Sequence, residues 1–118
     1  MKNEKLKYES LQPIDKKSFL QKMKDEKPEG YIKLLIQLRD IDDLDFAEEI
    51  FRKYMYDDNH FVAETALYSL GYLGVVRKKL INLDIEKELK NIAIKKPLLS
   101  DIINETLWEI KKAWGNNQ

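Results

Sequence analysis

His60 is the single histidine of this chain and it stands among carboxylates, with Asp57 and Asp58 before it and Glu64 one helical turn later. A histidine and a carboxylate four residues apart share a helix face and could begin a metal site. Such a site needs further ligands, and the sequence has no second histidine and no cysteine. A surface histidine at a helix start is the better assignment. The run from Asp40 through Asp42 and Asp43 to Asp45 has the carboxylates of a calcium loop, but not the glycine at its sixth position or the spacing to a closing Glu. Paired carboxylates for acid–base work are plentiful but lie in polar, solvated stretches. There is no Gly-rich phosphate loop, no Gly-x-Ser-x-Gly and no nucleophile with a placed base. Arg77-Lys78-Lys79 and Lys95-Lys96 lack interleaved aromatics and read as loop ends, not as a nucleic-acid surface. The expectation is a protein that is not an enzyme, with no cofactor or metal, that acts by binding.

The charge balance is zero, but the charges are segregated. Residues 1–39 hold 10 basic and 6 acidic side chains, residues 40–64 hold 2 and 9, and residues 65–118 hold 9 and 6. The middle block is therefore −7, and a field of that sign repels nucleic acid and attracts a basic protein. Part of it has a local cause, because carboxylates collect at helix N-termini where the macrodipole favours them. With no cysteine there is no disulfide framework. No run approaches ~18 apolar residues, and the segment MKNEKLKYES has no apolar signal core, so a cytoplasmic protein without membrane contact is expected.

These residues need helices to position them. Few Pro and Gly and a 36% charged composition suit helices with solvated outer faces. Residues 1–14 read as a flexible arm, and 15–118 as one helical domain. Asp15 is placed to cap Lys16–Lys24, with Phe19, Leu20 and Met23 on one side. Lys27-Pro28-Glu29-Gly30 is expected to break the chain before a helix over Tyr31–Arg39. Further helices are expected over Leu44–Met55, His60–Leu73, Ile85–Ile94 and Ser100–Trp114. Gly74 is expected in the left-handed position that closes the fourth. Short turns between them force antiparallel neighbours.

On a wheel at 100° per residue, Val62, Ala63, Ala66, Leu67, Leu70 and Leu73 fall on one broad core face. Phe61, Glu64, Thr65, Tyr68 and Tyr72 fall opposite, where a surface helix ordinarily carries charge. Phe61 is expected to pack against a neighbouring helix. A shift of 40 residues lays Val62 on Ile102, Leu67 on Leu107 and Leu70 on Ile110, and sets Tyr68 on Trp108 and Glu64 on Asn104 beside Glu105. Tyr and Trp combine rigid apolar area with a polar tip, the character of interface anchors.

The stretch 57–74, with its capping Asp, Val62, the Ala66-Leu67 pair and Leu70-Gly71-x-x-Gly74, resembles the second helix of a HEAT-like repeat. The 40-residue shift falls in the ~40–47 range of such units. Ala63 stands where that family often places an Arg that bonds a neighbouring unit's turn Asp. The resemblance implies an all-α, right-handed α-superhelix of about three helical hairpins, with a plain five- or six-helix bundle as the alternative. Small proteins of this build also resemble bacterial immunity proteins, including those paired with contact-dependent growth-inhibition toxins. The expected function is an immunity protein (antitoxin) that occludes a cognate basic toxin domain, a nuclease being favoured, and that is a monomer or weak dimer. The expected partner-binding residues are Tyr68, Trp108, Glu64, Tyr72 and Glu105, with Asp43, Asp45, Glu48 and Glu49 speeding association. A structural adaptor or scaffold subunit of a larger complex is the alternative.

Overall fold

The computed structural model describes residues 12–78 and 84–115, and every regular element among them is helical. Helix α1 spans Lys16–Asp25, α2 Pro28–Leu38, α3 Leu44–Tyr54, α4 His60–Arg77, α5 Ile85–Lys95 and α6 Ser100–Gly115. A 3₁₀ turn over Pro97–Leu99 leads into α6.

The helices begin where side chains can satisfy their open amides. Asp15 accepts from the Ser18 amide at 2.8 Å, and Asp43 accepts from that of Phe46 at 3.1 Å. Asn59 takes the amides of both Phe61 and Val62. Pro28 needs no such partner. It opens α2 at the first helical position, where a missing N–H costs nothing, so the expected break falls at residues 26–27 and the helix starts three residues earlier than expected. The Gly30 amide closes the first turn on the Lys27 carbonyl at 2.8 Å.

Helix α4 is the centre of the molecule. It contacts α2, α3 and α6, while α1 lies on α2 and α5 lies on α6. Val62, Ala63, Ala66, Leu67, Leu70 and Leu73 are all fully buried, as the wheel places them. Ser69, Gly71 and Gly74 are buried as well, so α4 is enclosed on more than one stripe. A helix covered on several sides is hydrophobic round most of its circumference.

Gly74 does not end α4. The helix runs to Arg77, and Lys78 takes the left-handed backbone instead, with φ 64° and its amide on the Gly74 carbonyl at 2.8 Å. Gly71 serves the contact with α6 by its missing side chain, and Gly74 meets that helix through its carbonyl. A Cβ at Gly71 would stand 3.2 Å from Thr106 Cγ2, and the Gly74 carbonyl accepts from Trp114 Nε1 at 3.0 Å. Helix termination and close helix approach use the same residue type, and here packing claims it.

Three other expectations change. Leu20 is exposed, because it lies 100° round α1 from buried Phe19. Phe61 is 62% exposed and meets only the His60 ring edge among aromatic contacts of the described residues. At the end of the expected arm Ile14 is buried, and the carbonyl of exposed Gln12 accepts from Gln37 Nε2 at 3.0 Å. Residues 1–11 of the expected arm lie outside the described residues.

The outer helices are also tied to one another. The Phe19 and Phe46 rings meet edge-on at 5.9 Å, joining α1 to α3. Arg52 Nη2 pairs with Glu88 at 3.0 Å, and the Tyr56 hydroxyl donates to the same carboxylate at 2.6 Å, joining α3 to α5. Burial and that hydrogen bond push the Tyr56 phenol up to about 12. Lys96 Nζ donates to the carbonyls of Tyr56 and Asp57 at 3.1 and 2.8 Å.

Two stability outcomes test this packing. Leu70→Ala should lower the unfolding free energy by about 2–5 kcal/mol through a cavity, while Phe61→Ala should stay within about 0.5 kcal/mol, both read by urea denaturation. The second concerns acid. Glu86 is bonded by Lys90 and Lys111 at 2.8 and 2.9 Å, which hold its carboxyl down at about 2 from an ordinary 4.5. A folded value below the unfolded one stabilises above pH 4.5 and is lost as pH falls through 2. The difference in urea midpoint between the native chain and Glu86→Gln should therefore shrink across that window. A constant difference would contradict the pairing.

Candidate protein-binding surface

The covered sides of α4 leave one strip open, and the outer-face aromatics occupy it. Tyr68 is 42% exposed and Tyr72 40% exposed, while Trp108 on α6 is 57% exposed. These are large apolar rings that the fold does not enclose, on two helices in contact with each other. The residues around them are mostly acidic. Glu105 is exposed on α6, and Glu64 lies one turn before Tyr68 on α4. Partial burial, followed by the negative charges of Glu105 and Glu64, raises the Tyr68 hydroxyl above its ordinary value.

Two of the three rings are held by a polar contact at an edge or face. The Tyr72 hydroxyl donates to Asp40 Oδ1 at 2.9 Å, and that bond, ahead of burial, raises its pKa. Lys112 Nζ sits 4.8 Å from the Trp108 ring centroid, a cation on the π face. Beside Tyr72, Arg39 reaches from the end of α2 and donates through Nε to Ser69 Oγ at 2.8 Å. Burial lowers the Arg39 pKa.

An open groove of about 490 Å³ runs between these elements. Tyr68 and Tyr72 line it from α4, Glu105 and Glu109 from α6, and Arg39 from α2. Gly71 and Thr106 meet at its floor. The expected partner-binding residues Tyr68, Tyr72 and Glu105 thus come together. Glu64 adjoins Tyr68, and Trp108 lies on α6 between Glu105 and Glu109 in the chain. Glu109 and Arg39 were missed from sequence. The repeat of Glu at 105 and 109, one turn apart on a helix with Trp108 outward, was the available signal for the first. Arg39 gave none, since a basic residue at a helix end has an ordinary role at the macrodipole.

The acidic block does not form one patch. Asp40 goes to Tyr72 and Glu64 to Tyr68, but the carboxylates at the start of α3 gather elsewhere. Asp43 caps α3. Asp45 lies 3.2 Å from Arg77 Nη2, and Glu48 lies 3.3 Å from Nη1. Glu48 is only 2% exposed, so it is a core ion-pair member and not a contact for a partner. Its sequence neighbours could not reveal this, because Arg77 is 29 residues away. Asp45 and Glu49 remain exposed, and Asp43 does too. Asp45 stands at the Arg77 end of α4, and none of the three lines the groove.

His60 Nε2 lies 3.6 Å from Glu64 Oε2, and no group of three or more metal-type ligands occurs among the described residues. No described helix is long and apolar enough to cross a membrane.

Comparison with protein-family models, with curated proteins and with solved structures gave no match. What this chain does has to be read from its own surface.

Proposed function

We propose that this chain is a non-catalytic protein-binding module, a HEAT-like stack of helical hairpins that grips a basic protein with the α4–α6 face. The observation that carries the reading is the trio of exposed rings, Tyr68, Tyr72 and Trp108, set among the carboxylates Asp40, Glu64, Glu105 and Glu109. Exposed aromatic area beside like charges is what an interface core and its rim require. It costs a protein solubility when it serves no partner.

The stacked architecture is supported by the separations at which helices are tied. Arg39 bonds Ser69 and Tyr72 bonds Asp40 across 30 and 32 residues. Arg52 bonds Glu88 across 36, Lys96 bonds the Asp57 carbonyl across 39, and Trp114 bonds the Gly74 carbonyl across 40. Ties that recur at about one unit length, running α2 to α4 to α6 and α3 to α5, are those of repeated hairpins laid side by side. Lys96 supplies a tie between units without the Arg that Ala63 replaces.

Within this reading the favoured partner is a toxin domain whose cationic surface handles nucleic acid. The chain acts as its immunity protein by covering that surface. Electrostatic attraction speeds docking, the rings provide the buried anchors, and no bond is made or broken. One observation favours an adaptor subunit instead. Ile94 and Leu98, at the α5 end of the chain's stack, are among its most exposed apolar side chains, as they are where a stack continues into another protein.

Affinity capture from native cells, followed by calorimetry with the recovered protein, decides between them. The expected partner is basic, and Trp108→Ala weakens it by at least about 2 kcal/mol, or roughly thirtyfold, with far-UV circular dichroism unchanged. Recovery of an acidic partner whose affinity ignores Tyr68→Ala and Trp108→Ala would count against the proposal. A stoichiometric partner lost on Leu98→Ser, and without toxicity of its own, would establish the adaptor.

A further inference from the structure

The groove has two unlike walls. Tyr68 and Tyr72 stand four residues apart on α4, and Glu105 and Glu109 stand four apart on α6. Residues at that spacing lie one above the other on a helix, so a pair of phenol rings faces a pair of carboxylates. Between them the floor is shallow and smooth, because Gly71 lets Thr106 approach and presents no side chain.

We infer that this groove receives an arginine side chain from the partner. The inference rests on the protein-binding reading and specifies its chemistry. Charge is the first argument. Among the charged residues that line the groove Glu105 and Glu109 outnumber Arg39, whose Nε is bonded to Ser69, and Asp40 adjoins them through Tyr72. Arg39 also closes the α2 end, which directs an incoming cation toward the two glutamates. The second argument is the ring faces. A guanidinium is planar and weakly hydrated. It stacks on phenols while its edge donates two hydrogen bonds to a carboxylate, a combination that lysine cannot make.

The third argument comes from the chain itself. Shifted by 40 residues, Tyr68 and Tyr72 fall on Trp108 and Lys112. There the ring already holds its own cation, 4.8 Å from the centroid. At the α4 position a tyrosine replaces that lysine, and among the described residues no Lys or Arg is seated over either ring. On α6 the ring carries its own cation; on α4 none is seated over the rings, and two carboxylates line the groove beside them.

The test uses a fluorescein-labelled, end-blocked peptide with arginines spaced by Gly-Ser, a copy with lysine, and a copy with citrulline, the uncharged isostere. Binding to the whole chain is followed by anisotropy at low salt, and the site is mapped by amide chemical shifts. The arginine peptide should bind at least about tenfold tighter than the citrulline peptide and about threefold tighter than the lysine peptide. The Glu105→Gln/Glu109→Gln variant, whose two sites are exposed and whose urea midpoint should hold, should lose at least about fivefold. Shifts should centre on Tyr68 and Tyr72. Arginine and citrulline peptides within about twofold of each other, full binding by the double variant, or shifts centred on Asp43 and Glu49 would each overturn the inference. If the double variant binds normally while a captured partner still requires Trp108, the arginine groove is wrong and the binding module stands. If the partner ignores both, both fall.

Discussion

The approach of α6 to α4 at Gly71 is the constraint on which the other features depend. With Thr106 Cγ2 only 3.2 Å from where a Cβ would stand, a side chain at position 71 would press on α6. That closeness brings the Trp114 indole onto the Gly74 carbonyl and buries Leu67, Leu70 and Ile103 between neighbouring layers. It also determines what is left over. A helix held by α2, α3 and α6 has one strip uncovered, and on α4 that strip carries Tyr68 and Tyr72. The groove is the space between two helices whose floor is drawn tight and whose side-chain rows therefore splay outward.

The polar contacts divide into those that hold the helices together and those that line the groove. Arg77 with Glu48 sits at the far end of α4, where a nearly buried carboxylate needs a close cation. Arg52 with Glu88 and Lys96 with two carbonyls lock outer helices in register. Such ties add little energy individually when half exposed, but they fix which turn of one helix meets which turn of the next. Arg39–Ser69 and Tyr72–Asp40 belong to both groups, since each joins α2 to α4 and orients a groove wall. Thr106 shows the cost of the close approach: its hydroxyl is buried with no hydrogen-bond partner among the described residues. The methyl that fits against Gly71 brings that oxygen in with it.

How much of this was legible in the sequence depended on how local the signal was. Asp15 announces a helix start because a cap acts within three residues, and the structure uses it; α4 is capped by Asn59 and not by the Asp expected before it. The core face of α4 follows from a period of 3.6 and is buried residue for residue. The outward position of Tyr68, Tyr72 and Trp108 follows from the same wheel. Gly74 was misread because α4 runs on to Arg77 and Lys78 takes the left-handed backbone, and the start of α2 was set three residues late because a proline both ends helices and begins them. Glu48 looked like its neighbours Asp45 and Glu49 until Arg77 arrived over it. Glu109 and Arg39 joined the site only through helix packing, which no single stretch of sequence displays.

The fold buries one side of α4 and α6 and leaves the rings at 68 and 108 open to water. Paramagnetic solvent relaxation by a soluble gadolinium chelate measures this residue by residue in the NMR spectrum. The account predicts strong broadening of the Trp108 indole N–H and the Tyr68 ring protons, with the Trp114 indole, bonded to the Gly74 carbonyl, largely spared. Equal protection of both indoles, with the Tyr68 ring shielded alongside them, would place these residues in the interior and contradict it.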